Sequence, residues 1–176
     1  MYRLSRFLLL SCCLSTTSQA GEILFGLGAG PQFGTDDHNQ AAFVDAILYD
    51  YHRSSRQILS LGTSITHLRT NSASGSKQLT AFSIFPELRL SSTLGSKEVF
   101  FHVRALGPSY LTTTTFGERE QAVHFAFQAQ VGGGIYLDKE KKYQLRFQYR
   151  HFSNANLKQP NDGIDVPFIA SIGIKY

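Results

Sequence analysis

Tyr143-Gln144-Leu145-Arg146-Phe147-Gln148-Tyr149-Arg150 alternates apolar or aromatic side chains with long polar ones, without a break. A period of two is that of a β-strand whose faces meet different surroundings. The even-numbered set (Gln144, Arg146, Gln148, Arg150) is bulky and polar, and the odd set is apolar enough for lipid. A membrane barrel satisfies both, with its apolar face toward the bilayer and its polar face toward a narrow lumen.

The same pattern recurs on both sides of this stretch. Upstream, Val123, Phe125, Phe127, Ala129 and Val131 alternate with His124, Ala126, Gln128 and Gln130. Val99, Phe101, Val103 and Ala105 alternate with Phe100, His102, Arg104 and Leu106, and Phe82, Ile84, Pro86, Leu88 and Leu90 lie opposite Ser83, Glu87 and Arg89. Leu59 to Thr66 and Gly21 to Gly30 follow the rule. Gln40 to His52 is the least regular run, with Phe43, Ile47, Tyr49 and Tyr51 assigned to one face and Val44, Ala46 and Leu48 to the other. Downstream, Val166, Phe168, Ala170, Ile172, Ile174 and Tyr176 form the outward set of the last strand.

Turn-forming clusters separate the runs: Arg53 to Arg56, Leu94 to Lys97 and Asp138 to Lys142 are short, whereas Pro31 to Asn39, Arg69 to Gln78 and Thr112 to Glu120 are longer. The expected fold is all-β, an antiparallel transmembrane β-barrel of outer-membrane type with about eight strands of about ten residues. A soluble up-and-down barrel is the rival. The mixed-sign residues opposite the apolar face (Glu87, Arg89, Arg104, Arg146, Arg150) suit the side-chain-filled lumen of an eight-stranded barrel, and the chain ends on aromatic Tyr176.

Met1 to Arg6 is short and positive, Phe7 to Leu14 is apolar, and Ser18-Gln19-Ala20 places small residues where a signal peptidase cuts. Residues 1–20 are therefore expected to be a cleaved signal peptide and 21–176 a single barrel domain. Cys12 and Cys13 both fall in the leader, which leaves no cysteine for disulfides or thiolate metal sites. Loss of Arg3 and Arg6 lowers the formal charge from +4 to +2, so the basic balance makes no case for nucleic acid. No run after the leader approaches the ~20 apolar residues of a membrane helix.

Chemistry concentrates beyond Arg150. Extending the odd-numbered face of the quoted strand by twos places His151 and then Ser153 on the lipid side, close enough for imidazole and hydroxyl to meet. Pro160-Asn161-Asp162-Gly163 reads as a tight turn that returns Asp165 toward His151. A hydroxyl, an imidazole and a carboxylate are the components of an acyl-transfer site. A polar pair on a lipid face is costly unless it lies at the interface or has a function. His102 and His124 are expected in a lumen hydrogen-bond network, and His38, His52 and His67 show no metal-like spacing. Gly132-Gly133-Gly134 reads as a bend or close-packing site in a strand, not a phosphate loop, since no helix follows it.

The segment His151-Phe152-Ser153-Asn154-Ala155, followed by Lys158-Gln159-Pro160-Asn161-Asp162-Gly163-Ile164 and Asp165, resembles the signature of the outer-membrane lipid A 3-O-deacylases, the PagL family. The resemblance implies a bacterial outer-membrane enzyme that hydrolyses the ester-linked 3-hydroxyacyl chain at position 3 of lipid A, without a cofactor or metal. It also implies a homodimer. By the same resemblance Ser153 is the nucleophile and His151 the general base. The third position, a glutamate in the family, is Asp165 here, with Asp162 as the alternative carboxylate. Asn154 matches the asparagine implicated in the oxyanion hole with the following backbone N–H groups of Ala155 and Asn156. Asn156 stands where the family often has glycine, and asparagine is the next most tolerant of a positive φ. Two rivals remain: an outer-membrane phospholipase A, which has more strands and needs calcium, and a small envelope barrel without activity.

Overall fold

In the computed structural model the described residues are 21–176, so the expected signal peptide, residues 1–20, lies outside them. Ten strands follow in order. They are β1 (Glu22–Pro31), β2 (His38–Ser54), β3 (Gln57–Thr70), β4 (Gln78–Leu94), β5 (Lys97–Leu111), β6 (Thr115–Phe116), β7 (Arg119–Glu120), β8 (Phe125–Tyr136), β9 (Tyr143–Ser153) and β10 (Ile164–Lys175). Eight of them close into one antiparallel barrel, ordered β1-β10-β9-β8-β5-β4-β3-β2, while β6 and β7 form a small hairpin in the β5–β8 loop. Closure through the β1–β10 pairing leaves no unpaired edge, which is what a sheet in hydrocarbon requires.

The turns after β2, β4 and β8 are tight and lie at the end that holds Gly21 and Tyr176, whose backbone groups are bonded to each other. In the β8–β9 turn, Asp138 accepts the N–H groups of Tyr143 and Lys142 at 2.7 and 3.0 Å, which holds its carboxyl below the ordinary carboxylate range. The longer loops crowd the opposite end.

The polar face of the alternation fills the lumen. Arg104 joins Asp45 at 2.6 Å and Glu87 at 2.8 Å, Arg150 joins Asp45 at 2.8 Å, and Arg146 joins Glu87 at 3.0 Å and Glu22 at 2.5 Å. Arg89 bridges Glu22 and Glu87. The guanidinium carbons of Arg104 and Arg150 lie 3.6 and 3.9 Å from the ring centroids of Phe85 and Phe43. These charges are buried but mutually compensated, the condition under which buried ions are tolerated. Phe25, Leu27, Ile65, Phe82, Ile84, Phe101, Phe147, Phe168 and Ile172 are exposed and form the apolar exterior.

Three of the four bulges in the barrel correct the simple alternation. One in β2 falls between Ile47 and Tyr49, so Phe43 and Ile47 point into the lumen while Tyr49 and Tyr51 point out. This is why that run is the least regular. A second bulge, in β5, places Leu106 at φ 57° and exposes it, although parity assigns it to the lumen. The third lies between Val166 and Ile169 of β10, and it turns Val166 into the lumen although parity puts it outside. A bulge adds one residue and so reverses the face of everything beyond it. His124 also departs from expectation. β8 begins only at Phe125, and His124 is exposed and stacked on Tyr110 with centroids 5.4 Å apart. The triple glycine is a close-packing site as expected: a Cβ on Gly132 would lie 2.3 Å from the Phe147 carbonyl oxygen.

Candidate active site

The β10 bulge places two kinds of surface on one wall. Before it, Asp165 pairs directly with His151 across the β9–β10 ladder, on the outer face; after it, Phe168, Ala170 and Ile172 are exposed to the same side. One inserted residue thus keeps a carboxylate and a lipid-facing stripe together. His151 Nδ1 lies 2.8 Å from Asp165 Oδ1. A carboxylate only accepts, so Nδ1 carries the proton and Nε2 is left with its lone pair.

Asp165 is held from three directions. Tyr149 Oη donates to Oδ1, the oxygen that His151 uses, and its ring stacks on the imidazole at 25°. Gln32 Nε2 donates to Oδ2 at 2.7 Å, while Gln32 Oε1 accepts the Asp165 N–H at 3.0 Å. Asn39 Nδ2 donates to Gln32 Oε1 at 2.7 Å and to the Asp165 carbonyl at 2.9 Å. Gln32 and Asn39 are almost fully buried, so this polar cluster is dry and largely satisfied within itself. Both lie at the β1–β2 connection, more than a hundred residues from Asp165 in sequence, and reach it because β1 seals against β10.

Gly163 completes the seat of the imidazole. A Cβ there would meet His151 Cε1 at 2.3 Å, so glycine is what allows the ring to lie over the turn. Gln32 Nε2 fixes that turn through the Gly163 carbonyl at 3.0 Å.

Ser153 follows His151 by two on the same face and pairs with Phe127 of β8. Its Oγ makes no hydrogen bond among the described residues, so the structure joins His151 to Asp165 but does not close a Ser153–His151 bond. Catalytic contacts of this kind often tighten only once substrate is bound.

Asp162 turns away from the imidazole. It caps the Glu120 N–H at 3.0 Å, and its own N–H donates to the Glu120 carbonyl, which ties the β9–β10 loop to the β6–β7 hairpin. Asn154 is fully buried; its Nδ2 donates to the Lys158 carbonyl at 2.7 Å and its N–H to Asn161 Oδ1 at 2.7 Å. Ala155 and Asn156 follow with φ of 54° and 61°. Both residues are exposed, and their N–H groups have no acceptor among the described residues. An alanine in the left-handed region costs roughly 1 kcal/mol, a strain of the kind held at functional sites. Among the described residues no three His, Cys, Asp or Glu side chains group as a metal site.

Sequence reasoning missed Gln32, Asn39 and the part Tyr149 plays. Tyr149 carried a signal, being a phenol two residues before the histidine on the same face. Gln32 and Asn39 carried none, because the Pro31 to Asn39 stretch reads only as a polar loop.

Fold and site together define a small membrane β-barrel with a hydrolase-like histidine–carboxylate pair on its outer wall, at the long-loop end. The chain belongs to the family described as lipid A 3-O-deacylase (PagL), whose model matches residues 47–170. Over 69 residues it is 33% identical to the lipid A deacylase PagL of Bordetella bronchiseptica, a match spanning 39% of this chain and 38% of that protein. Its fold is similar to the crystal structure of the outer membrane enzyme PagL, with a TM-score of 0.65 at 17% identity, covering 88% of this chain and 99% of the other. Neisserial surface protein A (NspA) shares the fold more loosely, with a TM-score of 0.52 at 11% identity, covering 89% and 96% of the two chains.

Proposed function

We propose that this chain hydrolyses the ester-linked 3-hydroxyacyl chain at position 3 of lipid A, using Ser153, His151 and Asp165. The observation that carries the reading is the 2.8 Å His151–Asp165 pair, set on the exterior of a membrane barrel two residues from an unengaged serine hydroxyl. Family membership supplies the substrate. The location fits it, since the long-loop end of such barrels faces outward and the ester reaches Ser153 without leaving the membrane.

In this reading His151 Nε2 takes the Ser153 proton as Oγ attacks the ester carbonyl carbon. Asp165 keeps the proton on Nδ1 and stabilises the imidazolium as it forms. The oxyanion is met by the free N–H groups of Ala155 and Asn156, with Asn154 organising the turn that presents them. The intermediate collapses as His151 returns the proton to the departing sugar oxygen. Water, activated by the same imidazole, then releases the fatty acid from Ser153. Each oxyanion donor contributes roughly a hundredfold or more to the rate. No cofactor enters these steps.

The shorter arm of Asp165 relative to the family's glutamate is offset by register. Direct cross-strand pairing brings its Cα within the roughly 5 Å typical of facing residues. Beside the site, Leu27, Ala29, Phe147, Pro167, Phe168 and Ala170 line an open apolar groove of about 500 Å³, which has room for an acyl chain. The test is mass spectrometry of lipid A incubated with the purified protein. The parent removes one 3-hydroxyacyl chain, and Ser153→Ala removes none. A Ser153→Ala protein that still deacylates refutes the assignment.

A further inference from the structure

The opposite side of the barrel presents a second membrane-facing feature, away from Ser153. The β2–β3–β4 register arranges outward side chains in rows. Nearest the long loops comes Gln40–Arg69–Gln78, next Ala42–His67–Thr80, then Val44–Ile65–Phe82, then Ala46–Thr63–Ile84. Apart from Ala42, the first two rows are polar or basic, and apart from Thr63 the next two are apolar, so the headgroup boundary crosses this wall near the second row. Above the first row, His38, Asn71 and Lys77 join Gln40, Arg69 and Gln78 around a notch of about 400 Å³. Its lining includes no acid. Arg69 and Lys77 have no ion-pair partner among the described residues, in contrast to the lumen arginines. Asp37, close in sequence, is buried and turned to the Glu118 N–H, leaving the exposed Asp36 as the nearby acid in sequence.

An apolar groove of about 820 Å³ begins one row below, lined by Leu27, Ala42, Val44, Ile65 and Ile172 and reaching His67 at its upper end. A cationic notch directly above an apolar groove, at the depth where headgroup gives way to acyl chain, has the outline of an anionic amphiphile. We propose that the Arg69–Lys77 notch binds the phosphorylated headgroup of a lipid in the leaflet at the long-loop end, with that lipid's chains in the groove beneath. Charge complementarity selects phosphate over a neutral headgroup. The groove selects a membrane lipid over a soluble phosphate. Four strand spacings separate β3 from β9, which carries Ser153, roughly 19 Å along the wall, so a headgroup in this notch is distinct from one at Ser153, although the groove beneath it runs on to Ile172 of β10 and meets the groove beside Ser153 at Leu27 and Ala170. The inference rests on the barrel and its orientation and does not require hydrolysis.

The test uses the whole chain with Ser153→Ala, so that bound lipid is not consumed. It is reconstituted in phosphatidylcholine nanodiscs containing a minor fraction of bis-phosphorylated lipid A or its dephosphorylated form. Native mass spectrometry counts retained lipids. The expected result is one more phosphorylated than dephosphorylated lipid retained, with Arg69→Gln/Lys77→Gln removing that lipid whatever the Ser153 site holds. Each basic residue near an anionic surface adds roughly a fivefold affinity, so the double variant binds about thirtyfold more weakly. Gln40→Glu/Gln78→Glu keeps both cations and adds repulsion, and it gives the same loss. In the Ser153 background these substitutions leave turnover of an uncharged short-chain ester unchanged. Equal retention of the two lipids overturns the proposal. So does a double variant that binds as tightly as the parent, or a parallel fall in short-ester turnover.

Discussion

Replacing Gly163 with alanine tests whether the turn after Ser153 sets the position of the His151 imidazole. The added Cβ lies 2.3 Å from His151 Cε1, so about 1.1 Å of movement is needed to reach the 3.4 Å of ordinary contact. The backbone is the stiffer party, because Gln32 holds the Gly163 carbonyl at 3.0 Å from within a buried cluster. The half-exposed imidazole is the freer one, and its retreat lengthens the 2.8 Å bond to Asp165 toward the limit of hydrogen bonding. A displacement of about 1 Å at a reacting group costs on the order of a hundredfold in rate. That corresponds to roughly 2.7 kcal/mol of barrier. The assay is kcat for lipid A deacylation in mixed micelles, with folding confirmed by heat-modifiable migration on a gel. We expect kcat to fall about a hundredfold with KM little changed. A folded Gly163→Ala protein with kcat within about twofold of the parent refutes this account of the imidazole seat.

Three further outcomes follow from the same contacts. Tyr149→Phe keeps the ring that stacks on His151 but removes a donor to the Asp165 carboxylate, and kcat should drop about tenfold or more, the equivalent of one hydrogen bond to a charged group. Gln32→Leu leaves Asp165 Oδ2 and the Asp165 N–H buried without partners; urea titration should show a loss of roughly 1–3 kcal/mol, with reduced turnover. Arg104→Met removes the cation shared by Asp45 and Glu87 in the lumen, and unfolding in urea should register a loss of roughly 3–5 kcal/mol while the exterior site is untouched.

The eight barrel strands rule out the larger barrel expected of an outer-membrane phospholipase A. That count is legible in the sequence because each strand announces itself locally: a residue on a strand faces lipid or lumen by parity alone, and lipid and lumen demand opposite chemistry. Runs such as Tyr143 to Arg150 and Leu59 to Thr66 therefore declare both faces. The placement of His151 and Ser153 on the outer wall comes by the same parity.

Parity fails where a residue is inserted, and nothing in the local composition announces an insertion. Val166, Leu106 and the Phe43–Tyr51 run all lie at or across bulges, and each takes a face other than the one alternation gives it. The carboxylate is ambiguous in sequence for a related reason. Asp162 and Asp165 both follow His151 closely along the chain, and only the β9–β10 register, with the loop bonded to the β6–β7 hairpin, directs one to the imidazole and the other away. Gln32 and Asn39 lie furthest from reach, because their contact with Asp165 exists only once the first strand closes on the last. The sequence by itself determined the barrel, its lipid-facing wall and the histidine and serine upon it, since these follow from short-range alternation. The tertiary structure decided which acid meets the histidine and what holds that acid in place, since closure and bulges depend on pairings between distant parts of the chain.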